Sequence, residues 1–320
     1  MHINLEIIGK EIINDYLIAE NKLKENQAFE EIETITKLAS EAEDNKEYDK
    51  AINLLEKGLK IEKKVFGEND IEVANTLKWI ARIYRQKSEF EKSEKFYNLS
   101  LRIKNDQLGD KDFQLVDIHY NLGYLDERKG KNFYQNAEAH YLKALEIVKN
   151  SYSEEHEDYI YGLYLLGNLY SEMELFEKAN DILTRTLKLE EKKLGKDNLE
   201  VARTLFAIGR NYNDSGQFKK AEGFFLRALE IEKQKLGFNN KETAITLNAL
   251  GENYLELGLY NEAEKNIQKS LLIKEKILSP DDKLIATSLN DLALVNWYKG
   301  EFSKAEPLLF RALSIRKKVY

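Results

Sequence analysis

Residues Asp281–Tyr320 read DDKLIATSLNDLALVNWYKGEFSKAEPLLFRALSIRKKVY, and the rest of the chain is a set of variations on them. Leu289, Leu292, Ala293 and Asn296 recur at offsets of three, one and three, which places them on one face of a helix. Gly300 follows where a left-handed C-cap ends a helix, a backbone conformation glycine adopts without a Cβ clash. A second stripe begins at once with Phe302, Ala305, Leu309, Ala312 and Leu313. The segment is therefore predicted to be a helical hairpin with one apolar face on each helix.

Upstream, the same hairpin recurs. The small residue three places after the aromatic that follows the turn is Ala51, Ser93, Ala137, Ala179, Ala221, Ala263 and Ala305, at spacings of 42, 44, 42, 42, 42 and 42. The aromatics are Tyr48, Phe90, Tyr134, Phe176, Phe218, Tyr260 and Phe302. Twelve residues ahead of each small residue, fourteen in the third repeat, stand Ala39, Ala81, Gly123, Gly167, Gly209, Gly251 and Ala293. Seven residues downstream lie Gly58, Ser100, Ala144, Thr186, Ala228, Ser270 and Ala312. Helix axes ~8–10 Å apart leave no room for a long side chain where they cross, so these three columns predict close helix crossings. Leu38, Ile80, Leu122, Leu166, Ile208, Leu250 and Leu292 form a predicted column of bulky core residues, with Tyr84, Tyr170, Tyr212 and Tyr254 as a partial second one. A lone hairpin would leave its apolar face wet, so stability is expected to come from stacking on neighbours.

The joints are polar and end in Asp70, Asp112, His156, Asn198, Asn240 and Asp282, which suit helix N-caps. Glu72, Glu200 and Glu242, two places on, favour the positive end of the helix dipole. The third repeat's two extra residues fall around Gly130–Asn132 and are expected to lengthen a turn. The expected organisation is a lead-in helix within residues 1–27, then repeats over 28–69, 70–111, 112–155, 156–197, 198–239, 240–281 and 282–320.

The chain has 320 residues, 49 basic and 56 acidic, and a net charge of −7. Both signs are interspersed without a long block of either, which argues against bulk nucleic-acid binding. With no cysteine, disulfides and thiolate metal sites are excluded. Glu6, Lys10, Glu11 and Asp15 interrupt the apolar pattern at the N-terminus, and no run approaches the ~18 apolar residues of a membrane span. A cytoplasmic protein is expected.

The phrases TLNALGENYLELGLYNEAE and SLNDLALVNWYKGEFSKAEPLLFRAL, with the recurring acidic joint, resemble tetratricopeptide repeats of the 42-residue kinesin light chain type. The resemblance covers Ala28 to Tyr320. It implies an all-α, right-handed α-solenoid whose first helices line a concave groove for a peptide or a partner helix. The residues before the repeats are too few for the long heptad coiled coil of a true light chain, so a kinesin role is not expected.

On each first helix the stripe beside the buried one is expected to line that groove. Its candidates are Asn75, Lys78, Arg82, Arg85, Tyr120, Tyr124, Tyr161, Tyr164, Asn168, Arg203, Phe206, Arg210, Asn248 and Asn290. Aromatic area, arginine forks and side-chain amides are interface chemistry, and the arginines suggest a ligand with acidic and aromatic character. The bland alternatives are tyrosines packed between first helices and arginines paired along their own helix. His119 lies on the buried stripe and reads as a core histidine, and His156 reads as an N-cap. Nothing nominates a nucleophile with its base, a phosphate loop or a metal motif. A non-catalytic adaptor or scaffold without cofactor is expected. The alternative is a peptide-responsive regulator that changes superhelical pitch, and Leu308, Phe310 and Ile315 make a C-terminal homodimer plausible.

Overall fold

The computed structural model describes residues 26–319, so the expected lead-in helix lies almost wholly outside the described residues. Within them the chain is all-helical, with no strand. The helices are α1 (26–44), α2 (Tyr48–Val65), α3 (Ile71–Gln86), α4 (Phe90–Leu108), α5 (Val116–Lys129), α6 (Tyr134–Ser151) and α7 (Glu157–Glu172). They continue as α8 (Phe176–Leu194), α9 (Leu199–Asp214), α10 (Phe218–Leu236), α11 (Lys241–Glu256), α12 (Tyr260–Ile277), α13 (Lys283–Tyr298) and α14 (Phe302–Val319). Odd and even helices pair as hairpins, the helical repeat solenoid pattern. The chain packs as two compact units that divide between Ser151 and Tyr152.

Each hairpin closes on the same device. The turn between its helices holds one residue at positive φ, in order Lys46, Ser88, Gly130, Glu174, Gly216, Gly258 and Gly300. In every hairpin but the third the following N–H then reaches back to a carbonyl in the last turn of the first helix, as from Leu175 to Tyr170 and from Leu259 to Tyr254, both at 2.8 Å. This bond satisfies a helix-end carbonyl that would otherwise lack a partner. In the third hairpin the extra residues form a short 3-10 turn, Lys131–Phe133, as the lengthened turn predicted. The joints between hairpins behave as expected too. The side chains of Asp70, Asn198, Asn240 and Asp282 each accept from the backbone N–H two residues on at 2.8 Å, and His156 Nδ1 accepts from Asp158 at 3.3 Å. Asp112 does the same for a 3-10 turn, Phe113–Leu115, that leads into α5.

The close crossings are real steric contacts. A Cβ placed on Gly123 would lie 2.4 Å from the Tyr141 ring, on Gly167 2.7 Å from Leu183, on Gly209 2.8 Å from Phe225 and on Gly251 2.4 Å from Ile267. Those bulky partners belong to one column on the second helices: Leu55, Tyr97, Tyr141, Leu183, Phe225 and Ile267, all buried. Leu309, the seventh member, is 44% exposed, because among the described residues no hairpin follows to cover it. Phe302 and Leu313 are exposed for the same reason, so only Ala305 and Ala312 of the α14 stripe are buried. At the other end Leu38, expected in the core, is 43% exposed, while Ile80 through Leu292 of its column are buried. Its site faces where a preceding hairpin would stack.

The core accordingly straddles hairpins. In the first unit Leu55 and Leu59 of α2 pack with Val73, Leu77 and Ile80 of α3. In the second unit Leu183 and Leu187 of α8 pack with Leu205 and Ile208 of α9, and Ile267 and Leu271 of α12 with Leu289 and Leu292 of α13. Each such side chain contributes about 1.5–3 kcal/mol of burial that an isolated hairpin lacks.

Gly251→Ala is expected to lower the melting temperature, because the added methyl meets Ile267 and the Ala263 carbonyl, and overpacking costs about 1–3 kcal/mol. Gly223→Ala in α10 meets nothing within 4 Å and should stabilise by up to about 1 kcal/mol through helix propensity. Thermal melts of the two variants check both signs.

Candidate interaction surface

In the first unit the expected stripe lies on α3 and α5. Arg82 is exposed but bonded at 2.8 Å to Glu43, which also accepts from the Trp79 indole. Arg85 lies over the Tyr124 ring at 5.5 Å, Lys78 pairs with Asp117 at 3.3 Å, and Asn75 donates to Glu72. Tyr120 is a correction: it is buried, its ring 6.3 Å from that of Tyr141, because its register turns it toward α6. It is a packing residue.

In the second unit Tyr161 is exposed and Tyr164 half-buried, with the Arg203 guanidinium 4.3 Å from the Tyr164 ring and 5.9 Å from that of Tyr161. Arg203 is also bonded to Glu200 on its own helix, and Arg210 pairs with Asp214 at 3.7 Å. Asn168 donates to the Tyr164 carbonyl, and Asn290 is half-buried on α13. The four arginines therefore have aromatic or anionic partners already, the pairing along or between helices that competes with an acidic ligand. Asn248 is the second correction. It is buried between α12 and α13, where it donates to Asp291 at 2.7 Å and to Glu252, and accepts from Ser288 and from Lys274 at 3.3 Å.

Phe206 and Arg203 do line open space. A cleft of about 430 Å³ between α9 and α11 is walled by Leu199, Ala202, Phe206, Leu236 and Ile245, with Glu200, Arg203, Glu232, Glu242 and Thr246 as its polar groups. One repeat earlier a cleft of about 340 Å³ holds Glu157, Ile160, Tyr161, Glu190, Leu194, Glu200 and Arg203 with Lys193. Shifted by one 42-residue repeat, Glu190 falls on Glu232, Leu194 on Leu236 and Tyr161 on Arg203. The clefts are successive copies of one site.

Their floor was missed by sequence reasoning. The register position of Glu190 and Glu232 is occupied through the chain by Glu62, Lys104, Val148, Glu190, Glu232, Lys274 and Arg316. The first six are buried. Thr76 donates to Glu62 and Thr246 to Glu232, each at 2.9 Å, while Lys274 donates to Ser288 at 2.7 Å and Lys104 to Gln114 at 2.9 Å. Burial pushes the carboxyls of Glu190 and Glu232 up to about 7. It pushes the Lys274 ammonium down to about 8, and with the Asp291 carboxylate it holds Glu252 well above the carboxylate range. The signal was present, since Glu62 stands at the spacing of Ala51, Leu55, Gly58 and Leu59, four, three, one and then three residues apart, and so on their face.

The histidine readings hold. His119 is buried, its Nδ1 2.9 Å from that of His140, and burial lowers both, His119 to about 4. Among the described residues no group of three His, Cys, Asp or Glu side chains could hold a metal ion, and no helix is long and apolar enough to cross a membrane.

The family model for the tetratricopeptide repeat matches residues 31–106, 114–192, 173–234 and 242–318. The chain belongs to the tetratricopeptide repeat family. No curated protein sequence matches it. Among solved structures this repeat protein is similar to the apo form of RapI, at 17% identity over 90% of this chain and 98% of that one, with a TM-score of 0.70. It is similar to a putative kinesin light chain with TPR-like repeats from Podosopora anserina, at 18% identity over 65% and 97%, with a TM-score of 0.55. A third is a signal transduction ATPase with a tetratricopeptide repeat sensor from Pyrococcus horikoshii, at 18% identity over 88% and 41%, with a TM-score of 0.67. The kinesin light chain type of repeat expected from the sequence is thus among the solved structures it resembles.

The buried glutamates carry a pH signature. Folded Glu190 and Glu232 keep their protons up to about pH 7, whereas an unfolded glutamate loses its proton near 4.5, so between those values the folded state binds more protons. Their contribution to stability is therefore full at low pH and falls as pH rises. Relative to wild type, a Glu190→Gln, Glu232→Gln variant should melt at nearly the same temperature at pH 4, below the unfolded value, and higher at pH 8, by roughly 2–4 °C per kcal/mol recovered. Calorimetry across that range reads the difference.

Proposed function

We propose that the chain is a non-catalytic interaction protein whose second compact unit holds an extended segment of a protein partner along the first helices α7, α9 and α11. The observation that carries this reading is the pair of clefts one repeat apart, because a ligand that reads a repeat protein meets the same site at each step. Tyr161, Tyr164 and Phe206 supply rigid aromatic area beside them, the residue type that dominates binding energy at interfaces. A cytoplasmic location accords with the cysteine-free composition. On the last hairpin Ile315, expected on a dimer surface, is buried in the core with Leu308 packed beside it, whereas Trp297, Phe302, Leu309, Phe310 and Leu313 line an exposed cleft of about 410 Å³, the surface on which a second copy would dock.

An immobilised array of ten-residue peptides of random sequence tests the groove. Wild type should select a set of peptides, and a Tyr161→Ala, Phe206→Ala variant that keeps the wild-type circular dichroism should bind them at least tenfold more weakly. Equal binding by the variant would move the site off these helices. Small-angle scattering with a selected peptide then distinguishes an adaptor, rigid in both states, from a regulator that compacts on binding. For the last hairpin, light scattering should give a dimer for wild type and a monomer for Phe310→Asp.

A further inference from the structure

The second of the two clefts is acidic at its base and apolar on its walls. Arg203 is bonded to Glu200, which leaves Glu232 and Glu242 as its net charge. Glu232 is 5% exposed and stands among the cleft's lining groups. Its Oε1 accepts from Thr246, and no donor among the described residues reaches its Oε2. Glu190, 2% exposed in the preceding cleft, likewise has an Oε2 without a donor. A buried carboxylate oxygen without a donor is costly, and each cleft holds one.

Resting on the reading above, we propose that the cleft of Glu232 takes a lysine side chain of the partner segment, its four-carbon stem between Leu199, Phe206, Leu236 and Ile245 and its ammonium donating to the Glu232 carboxylate. The cleft of Glu190 is the equivalent and weaker site, since Lys193 and Arg203 offset part of its negative charge. Lysine fits better than arginine for a geometric reason. Thr246 already takes one lone-pair site of Oε1, which leaves Oε2 as the oxygen without a donor and favours single-point donation, whereas a guanidinium gains most from a two-oxygen fork. The apolar walls suit the lysine stem, which buries readily while its head keeps a polar partner. The position of Glu232 on the ionisation scale agrees: burial raises its carboxyl to about 7, and a cation beside it would favour the charged form.

The random-peptide array supplies the probe. Peptides retained by wild type should be enriched in lysine over arginine, aspartate and glutamate. For a selected peptide, replacing the critical lysine by norleucine, which keeps the stem and removes the charge, should weaken binding at least tenfold. Glu232→Gln should weaken the lysine peptide by a similar factor and leave the norleucine peptide unchanged. Leu236→Trp, which fills the cleft from its exposed rim and keeps Glu232 in place, is a second variant should the first perturb the fold. A retained set without basic residues would overturn the lysine assignment and leave the groove reading standing, whereas an array that retains nothing would overturn both. Lysine peptides that bind Glu232→Gln and Leu236→Trp as tightly as wild type would show attraction to surface charge, and would also overturn it.

Discussion

The structure depends on the meeting of a residue with little or no side chain on each first helix and a bulky one on the second helix of the same hairpin. Gly123 under Tyr141, Gly167 under Leu183, Gly209 under Phe225 and Gly251 under Ile267 leave no space for even one methyl group. That approach sets how near the two helices of a hairpin lie, and it turns the bulky residue toward the next hairpin. Stacking follows from it. Leu309, the one member of its column with no following hairpin among the described residues, stays wet where its six counterparts are buried. The repeat is thus a unit of covalent chain and a hairpin of structure, but the unit of core is the second helix of one hairpin with the first helix of the next.

Tight packing at the crossings leaves the ends of the second helices as the place where chemistry varies. One register position there is acidic in Glu62, Glu190 and Glu232 and basic in Lys104 and Lys274, always buried and always opposite a small polar residue or an amide. A charge held there cannot be hydrated as on the surface, which is why Glu190 and Glu232 are raised and Lys274 is lowered. In the α11–α13 region the sign reversal to Lys274 is matched by Asp291 and Glu252, with Asn248 bridging them. In the α9–α11 region the cation that shares the cleft with Glu232, Arg203, is taken up by Glu200. The same scaffold position is closed as an internal network in one repeat and left open as a recognition feature in another.

The arginines on the first helices show why residue type alone is a poor guide to ligand charge. Arg82, Arg203 and Arg210 are surface cations in the sequence, but each meets a carboxylate supplied by its own or a neighbouring helix. A salt bridge between exposed groups adds little stability, about 0–1 kcal/mol, yet it removes net charge from the surface that a ligand meets. In the cleft of Glu232 what remains after the Arg203–Glu200 pair is carboxylate, from Glu232 and Glu242.

The sequence by itself determined the seven hairpins, their register, the caps at Asp70, His156, Asn198, Asn240 and Asp282, and the lengthened turn at Lys131–Phe133. These are local: a cap is decided within two residues, and a stripe by the 3.6-residue period of its own helix. Only the tertiary structure decided that Tyr120 and Asn248 are buried, that Leu38 and Leu309 are exposed, and that Glu232 sits at the base of a cleft. Tyr120 is settled by α6, the other helix of its own hairpin, and the rest by what lies on a neighbouring hairpin roughly forty residues away in sequence. Which side chain covers a face, or leaves it open, depends on how hairpins stack, and the period of one helix does not contain that information.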